Sequence, residues 1–191
     1  MKAWQHFKTI TKHRMLVMRY CFKVGLYYQG LTHDLSKYSP TEFLVGAKYY
    51  QGDRSPNNAE REDTGMSKSW LHHKGRNKHH FEYWVDYGIH CDTVIEGVPM
   101  PRKYVAEMIM DRISASRVYL GKDYTDQAPY EYFVKGKDHL WFVHPKTLGQ
   151  LEFLLKMLSV RGEDATLWYI RNRFLKGSKL PEYRNTGDER K

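Results

Sequence analysis

Between Pro101 and Gly121 the chain carries its clearest element, and that element is helical. Proline suits a first helical turn and glycine a stop. Between them Val105, Met108, Ile109, Ile113 and Val118 recur at the helical spacing of one buried face. The same period runs from Ala3 to Tyr28 through Phe7, Ile10, Leu16, Met18, Phe22 and Leu26. It returns after His144-Pro145 as Leu148, Leu151, Leu154, Leu155 and Leu158, and again from Asp164 to Leu175, with Gly162 between. A chain patterned this way folds as an all-α bundle, and 191 residues suffice for one core. There is no internal repeat and no linker, so we expect a single domain over 1–183 followed by a polar tail, 184–191.

Between the long helices the punctuation is local. Gly30 is expected to break the first helix. Ser39-Pro40-Thr41-Glu42 reads as a helix start with a capping box, in which the serine and glutamate satisfy each other's end of the first turn. Gln51 to Gly65 is polar, with Gly52, Pro56 and paired asparagines, and reads as a long surface loop able to act as a lid. Ser67 to His73 reads as a short helix, Gly75 to Asn77 as a turn, and His79 to Tyr87 as a helical or extended aromatic segment. Small β or irregular pieces are expected near Asp92 to Val98 and Asp138 to Val143.

The net charge of +9 favours anionic partners. Basic residues are dispersed, so a nucleic-acid arm is not indicated, although a basic folded face stays open. The two cysteines, Cys21 and Cys91, have no C-x-x-C spacing; Cys21 lies in an apolar stretch and reads as a buried thiol. A disulfide framework or a cysteine-ligated zinc is therefore not expected. No apolar run approaches a membrane span, and residues 1–14 lack a signal-peptide core, so the simplest compartment is the cytoplasm.

The chemistry concentrates at His33-Asp34, an imidazole and a carboxylate on adjacent backbone positions. His13 precedes the pair and Asp111 follows it on the Pro101–Leu120 helix. Each has an ordinary reading: His13 on a polar face, Asp34 capping a turn, Asp111 pairing with Arg112 or Lys103. Together, two imidazoles and two carboxylates match the mixed nitrogen and oxygen preference of Mn, Fe, Co, Ni or Zn better than Mg alone.

His13, then His33-Asp34 within HDLSK, then Asp111 within MDRISAS, resembles the HD superfamily of metal-dependent phosphohydrolases. The resemblance implies an all-α core whose separate helices supply the ligands His13, His33, Asp34 and Asp111. It implies a basic residue three places after the Asp and a basic or polar one after the last Asp, here Lys37 and Arg112. Ser36 stands where that family usually has glycine. The chain is closer still to a bacterial and phage subfamily sharing HDLSKYSPTEF, HHKGRNKHH and MPRKYVAEM, from His13 to the final helices. No haem-binding signature is seen.

A second knot spans His72, His73, Lys74, Gly75, Arg76, Asn77, Lys78, His79 and His80, followed by Glu82. Some HD proteins add mid-chain histidines for a second metal, which would make His73, His79, His80 and Glu82 candidates. The rival reading is an anion cradle of Arg76, Asn77 and Lys78 at a glycine turn, and the plain one a solvated basic loop. The resulting expectation is a hydrolase holding one or two divalent transition-metal ions. Asp34, Lys37 and His80 would be catalytic, and Lys37, Arg76, Asn77, Lys78 and Arg112 would bind substrate. The substrate expected is a small phosphate ester or nucleotide. The alternatives are diiron oxygenation on an HD-like scaffold, or a non-catalytic nucleotide- or nucleic-acid-binding module retaining a metal pocket.

Overall fold

Gly25 ends the first helix, not Gly30. In the computed structural model, which describes residues 1–88 and 94–178, α1 runs Lys2–Lys23 and Gly25 takes φ +84. That left-handed turn lets the Leu26 amide reach back to the Cys21 carbonyl at 2.8 Å. The chain then enters α2, Tyr27–Thr32, and Gly30 lies inside it. A Cβ there would meet Cys21 Cβ and the Phe22 ring at 3.0 Å, so this glycine serves close packing of α2 on α1.

The helix Pro40–Lys48 (α3) starts where expected, with Ser39 preceding Pro40, but no capping box forms. Ser39 Oγ is buried without a partner, and Glu42 turns instead toward two histidines described below. The segment read as a long loop is largely helix: Pro56–Thr64 is α4, closed by Gly65 at φ +77. Its sequence hides this because its buried side is small and polar. Glu60, buried, accepts from Ser67 Oγ and from Ser69 Oγ at 2.6 Å, and Ala59 is buried beside it. The α5 helix, Lys68–Lys74, follows, with the Ser67 hydroxyl accepting from the Trp70 amide.

A short antiparallel hairpin pairs β1 (Val85–Tyr87) with β2 (Ile95–Gly97), Val85 opposite Gly97. Gly97 abuts the Phe142 carbonyl and the His144 amide so tightly that no side chain fits. The stretch 138–143 forms no strand; a turn of 3-10 helix covers Lys137–His139. Cys91, Asp92 and the tail 184–191 lie outside the described residues.

The core is built on α6, Arg102–Leu120. Every residue from Val105 to Met110 is buried, so this helix is covered on all sides. It packs against α1 and α8. Val118, expected on its buried face, is only half-buried. The helix Ala128–Gly136 (α7), which the periodicity did not reveal, packs on α8 and α6. The α8 helix, Pro145–Tyr169, opens on His144, whose ring accepts from the Lys146 amide. Leu151, Leu154, Leu155 and Leu158 are fully buried along it. At Gly162 the backbone leaves helical geometry (φ 78, ψ 175) before resuming, so the two expected helices join across a kink. Glu163, beyond the kink, accepts from Tyr20 Oη at 2.8 Å and Arg117 at 2.7 Å, tying α8 to α1 and α6. The fold is thus an all-α single domain. Among the described residues no helix is long and apolar enough to cross a membrane.

Candidate metal centre

Two helices crossing in the core fix the first donors. His13 sits in the middle of α1 and is buried, and Asp111 lies on the facing side of α6, with His13 Nε2 2.9 Å from Asp111 Oδ1. His33 and Asp34 come from the turn after α2. Arg14 holds that turn, its guanidinium donating to the carbonyls of Leu31 and His33. Asp34 adopts φ +53, the left-handed region, and no other non-glycine described residue has a positive φ. That conformation costs a residue with a Cβ about 1–2 kcal/mol. Here it brings the His33 ring and the Asp34 carboxylate to one point, and such strain tends to collect at functional sites.

The deciding geometry is the split of the Asp34 carboxylate. Its Oδ2 lies 3.4 Å from His33 Nε2 and 3.8 Å from His13 Nε2. Its Oδ1 lies 3.3 Å from His73 Nε2 and 3.5 Å from His79 Nε2. His80 Nε2 joins this second group at 3.0 Å from His73 Nε2. Two sets of possible ligand atoms, His13, His33, Asp34 and Asp111 on one side and Asp34, His73, His79 and His80 on the other, therefore share Asp34; a third set comprises His33, His79 and Glu107. Both Asp34 oxygens and the Nε2 atoms of His13, His33 and His79 are buried and make no well-aligned hydrogen bond, although Lys37 Nζ lies 2.8 Å from Asp34 Oδ2 and Asp111 Oδ1 2.9 Å from His13 Nε2. Buried polar atoms left this way are costly unless something coordinates them. Their convergence fits a cation, and the nitrogen-rich donors fit a transition metal.

The rings are aimed by carboxylates behind them. Glu107, one turn before Asp111 on α6, has one oxygen 2.9 Å from His33 Nδ1 and 3.2 Å from His79 Nδ1. Glu42 does the same for the next pair, at 2.8 Å from His73 Nδ1 and 2.6 Å from His72 Nδ1. In each of His33, His73 and His79 the Nδ1 is thereby engaged and Nε2 left facing inward, the arrangement common behind metal-ligating histidines. Ser36 and Asn77 complete the support: Asn77 Nδ2 donates to Ser36 Oγ at 2.9 Å and to the His73 carbonyl at 2.8 Å.

Electrostatics points the same way. Burial opposes charge on Asp34 and Asp111, yet the neighbouring histidines, with Lys37 at Asp34, reverse it and hold both carboxyls well below their usual range. Burial lowers His13. Burial also acts against protonated His33, but Asp34, Asp111 and Glu107 outweigh it and raise that ring to about 10. Positive charge at this point is strongly favoured, and a proton or a metal ion can supply it. Burial, then His79 and His73, keep His80 well below its ordinary value.

The structure revises several expected roles. Glu82 is half-buried beside Phe81 and belongs to no donor set; the acids that serve the histidines are Glu107 and Glu42, the latter expected only in a capping box. Asn77 is buried and its amide is occupied inside the protein, so it is not a phosphate donor. Arg76 and Lys78 are exposed, with Arg76 donating to the His72 carbonyl and Lys78 over the Tyr83 ring, and neither contacts the donor sets. Lys37 is placed as expected, its Nζ 2.8 Å from Asp34 Oδ2. Arg112 lies between the Phe81 and Phe133 rings, its Nε buried and unpartnered, next to Asp111.

A family model matches residues 2–157, a span that takes in every donor from His13 to Asp111. The chain belongs to DUF5662, a family of unknown function. No curated protein and no solved structure matches it. The DUF5662 span closes before the Gly162 kink, so the whole centre lies in the part that the family model covers.

Glu42 offers a selective test within this site. It touches His73 but none of His13, His33, Asp34 or Asp111, so Glu42→Gln should weaken the second ion about tenfold and leave the first unchanged. Competitive metal titration reads both; equal weakening of both ions would contradict the division into two sets.

Proposed function

We propose that this DUF5662 protein is a metal-dependent phosphohydrolase whose two donor sets, sharing Asp34, would hold two divalent transition-metal ions. The observation that carries the reading is the Asp34 carboxylate, whose two oxygens face two different groups of buried imidazole nitrogens. His13, His33, Asp34 and Asp111 would hold one ion, and Asp34, His73, His79 and His80 the other. Such ions would supply Lewis acidity toward a phosphoryl oxygen and lower the pKa of water.

The chain's own groups set up the rest. Lys37 stays charged because Asp34 and Asp111 outweigh its burial, which places a fixed cation beside the bridging carboxylate. It would bind a phosphoryl oxygen and stabilise charge developing there. Arg112 offers a second guanidinium on the Asp111 side. Of the two roles open to His80, catalysis and ligation of a second metal, its position suits ligation: its Nε2 converges with that of His73, and its surroundings resist protonation. The substrate class is a phosphate ester.

The same donor sets, with Asp34 common to both, would also suit oxygenation at a diiron centre. Iron as the bound metal together with oxygen-dependent turnover would select it over hydrolysis. A panel of phosphomonoesters and phosphodiesters, run on protein loaded with each metal in turn, tests the main proposal. Turnover in at least one metal form is expected; binding of nucleotides or nucleic acid with no turnover in any form would replace it with a binding module.

Two results should follow. Lys37→Ala is expected to lower kcat by about ten- to a hundredfold while metal content stays near wild type. Parallel loss of metal would make Lys37 a support for Asp34 alone. Metal uptake should also release protons. Below about 10 the cation-free protein carries a proton on His33 that a ligand must shed. Affinity therefore rises with pH through the neutral range, by up to about tenfold per pH unit for that one proton, and falls on acidification. A pH-independent affinity between 6 and 9 would contradict ligation by His33.

A further inference from the structure

The first 33 residues hold six lysines and arginines and no acid, in a chain of net charge +9. Arg14 is turned to the carbonyls of Leu31 and His33. Lys8, Lys12, Arg19 and Lys23 are exposed and follow one another at steps of four, seven and four residues. Each step is close to a whole number of helical turns, so the four form one stripe along α1, about 22 Å from Lys8 to Lys23. Among the described residues only Lys23 of the four meets a carboxylate, Glu163 at 3.4 Å, which Tyr20 and Arg117 also engage. Like charges four residues apart on one helix repel, as Lys8 and Lys12 do, and an anionic partner relieves that cost. Val17, Tyr20 and Cys21 fix the other side of α1 in the core, and His13 lies on that buried side too. The stripe is a rigid surface, separate from the metal centre.

At the C-terminal end of α1 the stripe runs into an open pocket of about 450 Å³, lined by Lys23, Asp164, Leu167, Trp168, Arg171 and Asn172. Arg171 is held there by its guanidinium, which donates to the Lys23 carbonyl at 3.3 Å. Trp168 is 59% exposed, although tryptophan is on average highly buried. At the opposite end of the stripe Trp4 is 60% exposed, with Lys8 Nζ 5.2 Å from its ring. Asp164 is the acid of the pocket wall. It turns phosphate away toward Lys23 and Arg171, and a carboxylate there can accept from the amino group of a base.

We propose that the exposed face of α1 and the Trp168 pocket together bind single-stranded nucleic acid. Lys8, Lys12, Arg19 and Lys23 meet the phosphate backbone, and an unstacked base enters the pocket and lies on the Trp168 ring. Charge complementarity selects a polyanion, and an exposed ring in a concave pocket selects one that carries flat bases. A duplex keeps its bases paired and out of the pocket, and an anionic membrane surface leaves the pocket unfilled. The inference stands apart from the hydrolase reading, since no residue of the donor sets takes part in it.

Fluorescence anisotropy of a labelled oligothymidylate tests this, with unlabelled single strand, a duplex of equal length, polyglutamate and phosphatidylglycerol vesicles as competitors. The single strand should compete at least about fivefold better than any of the other three. With Lys8, Lys12, Arg19, Lys23 and Arg171 on phosphates, log K should fall against log salt with a slope of about −3 to −4. The triple variant Lys8→Gln/Lys12→Gln/Arg19→Gln should weaken binding about tenfold or more and reduce that slope by about 2. Trp168→Ala should weaken it about fivefold or more with the slope unchanged, and Trp168→Phe, which keeps a ring to stack on, should bind near wild type. All four side chains are exposed, so these variants are expected to fold as the wild type does. No binding at about 50 mM salt, or an affinity unmoved in either the triple variant or Trp168→Ala, would overturn the inference. Equal competition by the duplex, by polyglutamate or by the vesicles would overturn it as well, leaving a basic face without selectivity for bases.

Discussion

Asp34→Asn is expected to remove both metal ions at once while leaving the fold in place. Asparagine is close to aspartate in shape and tolerates the left-handed backbone that Asp34 adopts at φ +53. The substitution therefore keeps the turn but removes the charge that faces four imidazole nitrogens and Lys37. Alanine would be a poorer test, because it adds backbone strain of about 1–2 kcal/mol to the loss of the ligand. Metal content should fall from about two equivalents to near none. Thermal unfolding adds a check. At a metal concentration about 100 times Kd, each bound ion stabilises the wild type by about 2.7 kcal/mol, and Asp34→Asn should show no such gain. A variant that still holds one ion with wild-type affinity would mean that Asp34 serves a single site.

Glu107→Gln should weaken both ions without removing any ligand. One Glu107 oxygen accepts from the Nδ1 atoms of His33, in the first donor set, and His79, in the second. Glutamine keeps the volume of this buried side chain but loses its charge, and with it the pull that raises His33 and fixes both rings. Losses behind a metal ligand commonly amount to about 10–100-fold in affinity, and here both sites should share them. The contrast with Glu42→Gln, which should touch only the second ion, is the informative part. Unaltered affinity at both sites in Glu107→Gln would leave the His33 and His79 orientations to packing alone.

Much of the fold was legible because its longest helices carry strong apolar stripes: Val105 to Ile113 and Leu151 to Leu158 are buried as their spacing predicts. What the sequence concealed is polar. The α4 helix buries Glu60 on serine hydroxyls instead of an apolar face, so a helix looked like a loop. Gly30 looked like a breaker because spacing cannot show that a glycine is needed for contact between helices. At the centre, His13, His33, Asp34 and Asp111 are brought together as their order suggested. The role of Glu42 was masked by a plausible competitor, the capping box, and only the arrival of α5 beside α3 decides between them. Glu107 did leave a trace, since it lies four residues before Asp111 and so on the same helix face.

The most direct test of the account is metal stoichiometry. Elemental analysis of reconstituted wild-type protein, beside Asp34→Asn and His73→Ala, counts the ions and assigns the bridge. The account predicts about two equivalents in the wild type, none in Asp34→Asn, and one in His73→Ala. Wild-type protein that takes up no transition metal, or an Asp34→Asn variant that retains both ions, would contradict it.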